Sequence, residues 1–435
     1  MAVKGQARAG KSARDRLVHA LLQDAFDSYV GDGTDLRQPE PRGLTLAEVA
    51  QSAELSRPSV AVVREQLRPV LAEPAGPHGA QGTALDPSQG VAFGVEFRQT
   101  ELTVCIADLH GRPLGEPWQE DKRIDDDPRL TLDRAAALIN ESLAAAGRRS
   151  DEVVGVGMSL AHPVDPRTTG AVRALSMSED RGWRPWEGLG DVRQHLRQRL
   201  RWDESSAPSL KAFIADNDAN LSAIAERHWG ALRGRHNALY VFWGEGVGAG
   251  VIAGGGLQRG AGGIAGAIGH MPLLEGPDTL KCPRCGLSGC LETMVSAGAI
   301  LARSGLAEEP GAIDRLVDEA AADTSSAAFQ ALDEAAFHLG RALGICLHVL
   351  NPEAIVLGGS IGFAAFELFR NGGLERGLRR QAASSARDDV NSGGIHRGRF
   401  YAHTAVRGAI ARTLWEFLPE YLERRRNRLV HATSP

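Results

Sequence analysis

The chain has 435 residues, too many for one simple core and enough for two or three domains. At 43% apolar residues it can bury a sizeable core, while a net charge of −5 excludes a protein that coats nucleic acid along its whole length. No long apolar run suited to a membrane span is present, and the polar, basic stretch Met1 to Arg16 lacks a signal-peptide core, so a cytoplasmic location is expected.

Lys4, Arg8, Lys11, Arg14 and Arg16 make the start of the chain basic, and Arg424–Arg426 with Arg428 do the same near its end. Each run reads either as a phosphate contact or as a solvated tail. Residues 14–30 predict an amphipathic helix, with Leu17, Leu21, Leu22 and Phe26 at helical spacing. Thr45 then suits the cap of a short helix, with Glu48 completing a capping box, and Ser56 suits the cap of a second, with Pro58 in its first turn. Two such helices around a turn at Glu54-Leu55 predict a helix-turn-helix, whose second helix would place Arg57 and Ser59 at base edges and Arg64 at a phosphate. A helical hairpin in a bundle has the same spacing. Pro69, Pro74 and Pro77 crowd the place of a wing, so any wing is expected to be irregular; residues 72–90, rich in Pro, Gly, Ala and Gln, read as a linker.

From residue 91 the pattern turns to α/β. Strands are expected at 91–97, 102–108, 152–158, 210–215, 238–243, 248–253 and 354–358. Helices are expected at 131–146, 191–201, 219–230, 292–303, 311–322, 327–350 and 405–417. The hairpin Phe93–Asp108 recurs as Leu239–Ala253, which predicts two related lobes. The expected domains are a helix-turn-helix at 1–71, the linker at 72–90, a first lobe at 91–213 with 405–425, and a second lobe at 214–404.

Ile214-Ala215-Asp216-Asn217-Asp218-Ala219-Asn220 runs from a strand end into a helix, where α/β proteins present groups to ligands. Asp218 there could accept the proton of a sugar hydroxyl attacking a phosphoryl group; a plain helix cap is the simpler reading. Gly246 and Gly248, and the pair Gly358-Gly359, would let backbone N–H groups approach phosphate or sugar oxygens, or merely make close turns. The most specific signal is His270 with Cys282, Cys285 and Cys290: one imidazole and three thiols, a full tetrahedral set for structural zinc with no open position. Gly286 and Gly289 permit the turn that brings Cys290 in. A redox pair or incidental thiols are the alternatives, whereas Cys105 and Cys346 read as core residues.

With these residues assembled, the chain resembles the ROK family of repressors and sugar kinases over residues 88–420. Gly266-Ala267-Ile268-Gly269-His270, Gly289-Cys290-Leu291-Glu292 and Asn217-Asp218-Ala219-Asn220 carry the resemblance. It implies a two-lobed actin/hexokinase-like (ribonuclease H-like) α/β domain behind an all-α, winged helix-turn-helix domain, with a structural zinc and a homodimer or homotetramer. It further implies that Asn217, Asp218, His270 and Glu292 contact sugar, with Asp218 as base if kinase activity survives and His270 serving both zinc and sugar.

Departures from the family pattern decide the expected function. Where family kinases carry Asp-x-Gly-Gly-Thr, this chain reads Glu96-Phe97-Arg98-Gln99-Thr100, so side chains take the space of ATP phosphates. Glu245 adds a negative charge beside the second hairpin turn, costing roughly 3–4 kcal/mol against each phosphate charge at 4–5 Å. Ala267 stands where a sugar-contacting Glu is usual, and the cysteines are spaced Cys-x₂-Cys in place of Cys-x-Cys. The expected protein is a sugar-responsive, DNA-binding transcriptional repressor with a degenerate kinase-like domain, acting on a DNA operator and a sugar or sugar-phosphate effector. The alternatives are an ATP-dependent hexose kinase and an interaction protein whose site has lost its ligand.

Overall fold

The computed structural model describes residues 12–28, 41–72, 82–98, 100–121, 127–167, 172, 189–203, 207–274, 276, 279–386 and 394–432. Helices α1 (Ala13–Asp27), α2 (Leu46–Ala53) and α3 (Arg57–Leu67) lead into strands β1 (Leu71–Ala72) and β2 (Ala84–Leu85). Next come β3 (Val91–Phe97), β4 (Glu101–Asp108), β5 (Trp118–Asp121), α4 (Pro128–Ala145), β6 (Val153–Leu160), α5 (Val192–Arg199) and β7 (Phe213–Asn217). They are followed by α6 (Asp218–Trp229), β8 (Ala238–Trp243), β9 (Val247–Ala253), β10 (Gly256–Gln258), α7 (Glu292–Val295), α8 (Ala297–Ser304), α9 (Ala312–Ala322) and α10 (Ala327–Leu350). The last elements are β11 (Ala354–Gly358), α11 (Gly359–Ala364), α12 (Phe366–Phe369), α13 (Glu375–Gln381), β12 (Ile395–Arg397) and α14 (Thr404–Ala432). No described helix is long and apolar enough to cross a membrane.

Two compact units result: Met1–Ser159 with Val192–Ala215 and Val406–Pro435, and Leu160–Asp191 with Asp216–Ala405. In the first, the helix-turn-helix forms as its caps dictate. Thr45 Oγ1 accepts the Glu48 N–H at 3.3 Å, Glu48 Oε2 accepts the Thr45 N–H at 2.9 Å, and Ser56 Oγ accepts the Ser59 N–H at 3.2 Å. Glu54 ends α2 in the left-handed region, φ 54°, which turns the chain toward α3. Val49, Ala53, Val60, Val63 and Leu67 are buried, as are Leu17, Leu21, Leu22 and Phe26 of α1. Each such Leu, Val or Phe contributes on the order of 1.5–3 kcal/mol, which closes three one-sided helices around a shared core.

A wing follows. β1 pairs antiparallel with β2, Leu71 opposite Leu85 and Ala72 opposite Ala84, and Thr83 bridges to Leu44. Residues 82–90, expected to belong to a linker, therefore return to the helices and bury Ala84 and Leu85. Pro69 does no harm because it sits in the 3₁₀ turn Arg68–Val70, outside any ladder. Pro74 and Pro77 lie outside the described residues.

The two five-stranded sheets share one layout. Their orders are β5-β4-β3-β6-β7 and β10-β9-β8-β11-β12, so each runs third, second, first, fourth, fifth in its own stretch of chain. The recurrent hairpin seen in the sequence thus extends to whole sheets. β8 pairs antiparallel with β9 and parallel with β11, and β11 pairs parallel with β12. Against the second sheet, α10 buries Leu332, Leu339, Leu343 and Leu347 with Val241, Ile355 and Leu357.

Three expectations shift. The predicted strand at 210–215 starts later, since Leu210–Ala212 forms a 3₁₀ turn. The predicted helix at 292–303 breaks at Ser296, which re-caps the chain by accepting the Ala299 N–H at 3.3 Å. The last helix runs past its predicted end at 417, through Pro419, to Ala432. It lies so close to the first sheet that a Cβ on Gly157 would come within 2.5 Å of the Ala409 carbonyl. The C-terminal basic run is on this helix and is engaged within the unit: Arg428 meets Asp151 at 3.0 Å and Arg425 meets Glu152 at 3.5 Å.

Candidate functional site

The end of β7 presents three consecutive polar residues that divide the work of a helix start. Asp216 is buried; its Oδ1 accepts the Asn217 N–H and the Asn220 amide, both at 2.9 Å, and its Oδ2 pairs with Arg259 at 2.7 Å. Asn217 caps α6 by accepting the Ala219 N–H at 3.0 Å, and its Nδ2 donates to the Leu160 carbonyl at 3.4 Å. Asp218 is half-buried, and its Oδ1 accepts the Ala219 N–H at 2.7 Å. The bland reading and the chemical one are therefore compatible: Asn217 is a cap, and the carboxylate of Asp218 stands at the positive end of α6. Sequence reasoning missed the role of Asp216, whose partner Arg259 lies 43 residues on and leaves no local signal.

The glycines of the second sheet are packed closely by side chains. A Cβ on Gly246 would lie 3.2 Å from Glu292 Oε2 and 3.3 Å from Arg284 Nη1, and one on Gly248 would touch Ala219. Gly358 faces the Tyr240 hydroxyl, and Gly359, at φ +82°, would strike the Trp243 backbone. Gly246, Gly358 and Gly359 thus have little room for a side chain, whereas the contact at Gly248, 3.6 Å, is an ordinary one. Glu292 opens α7 and is buried; its Oε1 meets Arg284 Nε at 2.9 Å and its Oε2 accepts the Val247 N–H at 3.3 Å. His162, also buried, belongs to the same unit. Desolvation, assisted by the Arg284 charge, lowers its imidazole pKa to about 3. Neither Arg284 nor His162 was singled out from the sequence.

His270, Cys282, Cys285 and Cys290 converge, with all four ligand atoms within 4.8 Å of one another. Cys285 and Cys290 sulfurs are 3.4 Å apart, and Cys282 Sγ is 3.6 Å from His270 Nδ1. A tetrahedral ion bound at Zn–S and Zn–N lengths would set such edges at about 3.5–3.8 Å, so the donor set fits a metal ion such as zinc. The turn is held by Gly286 N–H to Cys282 O at 2.9 Å and Cys282 N–H to Leu287 O at 2.8 Å. Gly289, φ +76°, passes so near Leu274 that a Cβ would lie 2.1 Å from its carbonyl oxygen. Burial pushes the Cys290 thiol well above its ordinary range, with the hydrogen bond to Cys285 adding to it; a bound cation reverses that preference.

At the first hairpin turn, Arg98 N–H closes on Glu101 O at 2.9 Å, and Gln99 lies outside the described residues. On α3, Arg57 is exposed and Ser59 is half-buried, its hydroxyl 2.8 Å from that of Ser56. Arg64 donates to Gly82 O at 3.4 Å, at the root of the wing.

Comparisons with known proteins agree with this architecture. The model of the ROK family matches residues 92–369. A glucokinase of Halalkalibacterium halodurans is 28% identical over 291 residues, covering 64% of this chain and 82% of that one. The Escherichia coli DNA-binding transcriptional dual regulator NagC is 25% identical over 334 residues, covering 72% and 76%. Among solved structures, a ROK family transcriptional regulator, a homologue of the E. coli MLC protein, superposes with TM-score 0.68 at 21% identity, covering 94% of this chain and all of that one.

Proposed function

The chain belongs to the ROK family, which includes both kinases and repressors, and from that membership we propose that it is a sugar-responsive, DNA-binding transcriptional repressor. The observation that carries this reading is the capped helix-turn-helix with its β1–β2 wing, set ahead of the ROK-matched residues. In this reading α3 enters the major groove, Arg57 and Ser59 read base edges, and Arg64 supports the wing as well as approaching a phosphate. The partners are a DNA operator and a sugar or sugar-phosphate effector, and the working form is a homodimer or homotetramer on a two-fold operator.

The second unit is then the sensor. Asn217, Asp218, His270 and Glu292 contact the sugar, and His270 with the three cysteines holds a structural zinc that shapes the site and takes no part in chemistry. With Nδ1 turned to the sulfurs, the other ring nitrogen of His270 is the one available to a hydroxyl. A sugar shifts DNA affinity only through a difference in its binding to two conformers; a tenfold shift needs about 1.4 kcal/mol. The test is selection of bound sequences from random DNA, then a mobility shift with and without glucose, xylose and N-acetylglucosamine. Absence of DNA binding at low salt would overturn the reading.

One observation favours a second reading, an ATP-dependent hexose kinase: Asp218 stands beside Asn217 at the helix start, as a base for a sugar hydroxyl would. Arg98 and Glu245 speak against it. Turnover of ATP with a hexose, lost in Asp218→Asn, would establish it.

A further inference from the structure

The Cys-x₂-Cys spacing puts Pro283 and Arg284 between the first two cysteines. The Arg284 side chain, 16% exposed, pairs through Nε with Glu292 Oε1 at 2.9 Å, and Glu292 is 7% exposed. The carboxylate is held on its other side as well. Its Oε2 accepts the Val247 N–H, and it lies so close to Gly246 and Gly269 that a Cβ on either would come within 3.2 Å and 3.1 Å of that oxygen. The guanidinium lies over Gly246, 3.3 and 3.4 Å from the same Cβ position.

We propose that Arg284 is a positioning residue: from the cysteine loop it fixes the Glu292 carboxylate in one orientation, and so makes the sugar response depend on the metal-bound loop. The inference rests on Glu292 being a sugar contact, as argued above. Its physical basis is that a buried carboxylate is tolerated only when paired and hydrogen-bonded. Arg284 balances the charge, and the two backbone turns remove the rotamer freedom. An acceptor held this way meets a hydroxyl without first being ordered, so its bond carries more of the binding free energy. A cysteine loop that opens takes the guanidinium with it, and Glu292 loses both orientation and counter-charge. The unusual cysteine spacing thereby acquires a role.

The experiment uses the full chain and three variants, Arg284→Met, Arg284→Lys and Cys282→Ser. Zinc content is measured by release to a colorimetric chelator, and sugar affinity by thermal shift with glucose, xylose and N-acetylglucosamine. Operator affinity is measured by mobility shift. Arg284→Met is expected to keep zinc and operator binding while losing sugar affinity by about tenfold, the loss of one charge-assisted hydrogen bond. Arg284→Lys is expected to recover part of that affinity, which a merely structural role would not predict, and Cys282→Ser to lose zinc and sugar response together. Sugar affinity of Arg284→Met within twofold of the parent overturns the proposal alone, as does loss of zinc from that variant. A parent chain that binds operator but none of the three sugars overturns the sugar reading, and the proposal with it.

Discussion

His19 Nε2 lies 2.7 Å from the backbone carbonyl oxygen of Trp415, and the two rings stand 4.5 Å apart, centre to centre. Pro419 explains why that carbonyl accepts an outside donor. In a regular helix the amide four residues on would take it, and proline has no N–H. The imidazole N–H of His19 does so, and α1 is tied to α14 at the point where Pro419 offers the helix no N–H. Nearby, Arg14 pairs with Glu423 at 2.5 Å, while Arg16 donates to the carbonyl of Glu54, in the turn between α2 and α3, at 3.1 Å. One helix thus touches both α14 and the turn that sets the angle of α3.

His19→Ala is expected to weaken communication before it weakens folding. The lost hydrogen bond costs about 1 kcal/mol of stability. DNA affinity without sugar and sugar affinity without DNA should both stay within about threefold, whereas the sugar-induced change in DNA affinity should fall toward unity. Pro419→Ala in the His19→Ala background gives Trp415 an intrahelical donor again, so the double variant should regain stability without regaining the response. Mobility shifts with and without sugar, beside thermal melts, separate the two effects. A response of parental size in His19→Ala would rule out this route.

Metal removal is expected to act on the second unit. The four ligands join the 3₁₀ turn Ile268–His270 to the loop that leads into α7, so the cluster holds several otherwise short elements together. Cys290→Ser should lower stability by about 3 kcal/mol, or roughly 6–12 °C in the melt of that unit, and abolish zinc binding. A strong chelator should reproduce the shift in the parent chain and leave the variant unchanged. An unaltered melt after complete zinc removal would contradict a structural role.

Much of this was legible because it is local. Thr45 with Glu48, Ser56 with Ser59, and Cys282, Cys285 and Cys290 signal their roles over three to eight positions, where backbone geometry fixes which groups meet. The ion pair of Asp216 with Arg259 and that of Arg148 and Arg425 with Glu152 join residues whose meeting depends on the tertiary fold or on a turn, and no periodicity announces them. The prolines make an irregular wing and a linker over 72–90 the expectation, although Ala84 and Leu85 have enough apolar surface to return to the core. The last helix runs beyond its expected end at 417 through Pro419, where the Trp415 carbonyl takes its donor from outside the helix, from His19.

The helix α3 separates two kinds of arginine. Arg57 is exposed at its start, while Arg64 is half-buried with a bond to Gly82 O. Arg57→Ala should leave the melting temperature within about 1 °C and lose roughly 1–3 kcal/mol of discrimination between operator and scrambled DNA. Arg64→Ala should weaken binding to every sequence and loosen the wing, with a stability loss of about 1 kcal/mol. Competition mobility shifts against scrambled DNA make the distinction. Equal discrimination in the parent and Arg57→Ala would remove that side chain from base reading.

Acid should destabilise the second unit through His162. The side chain is 1% exposed, and burial, with the Arg284 charge, holds its pKa to about 3 against an ordinary 6.5. The folded chain therefore keeps a neutral imidazole where the unfolded chain binds a proton. Its contribution is whole above pH 6.5 and is lost as the pH falls from there toward 3, because the unfolded state then holds more protons. At pH 5 the loss amounts to about 2 kcal/mol. His162→Gln carries no titrating ring and should lose this part of the slope, so the difference between parent and variant isolates it from other acids and bases. Urea midpoints at pH 7.5 and pH 5 supply the comparison; an equal drop in both proteins would show that His162 is not held neutral by the fold.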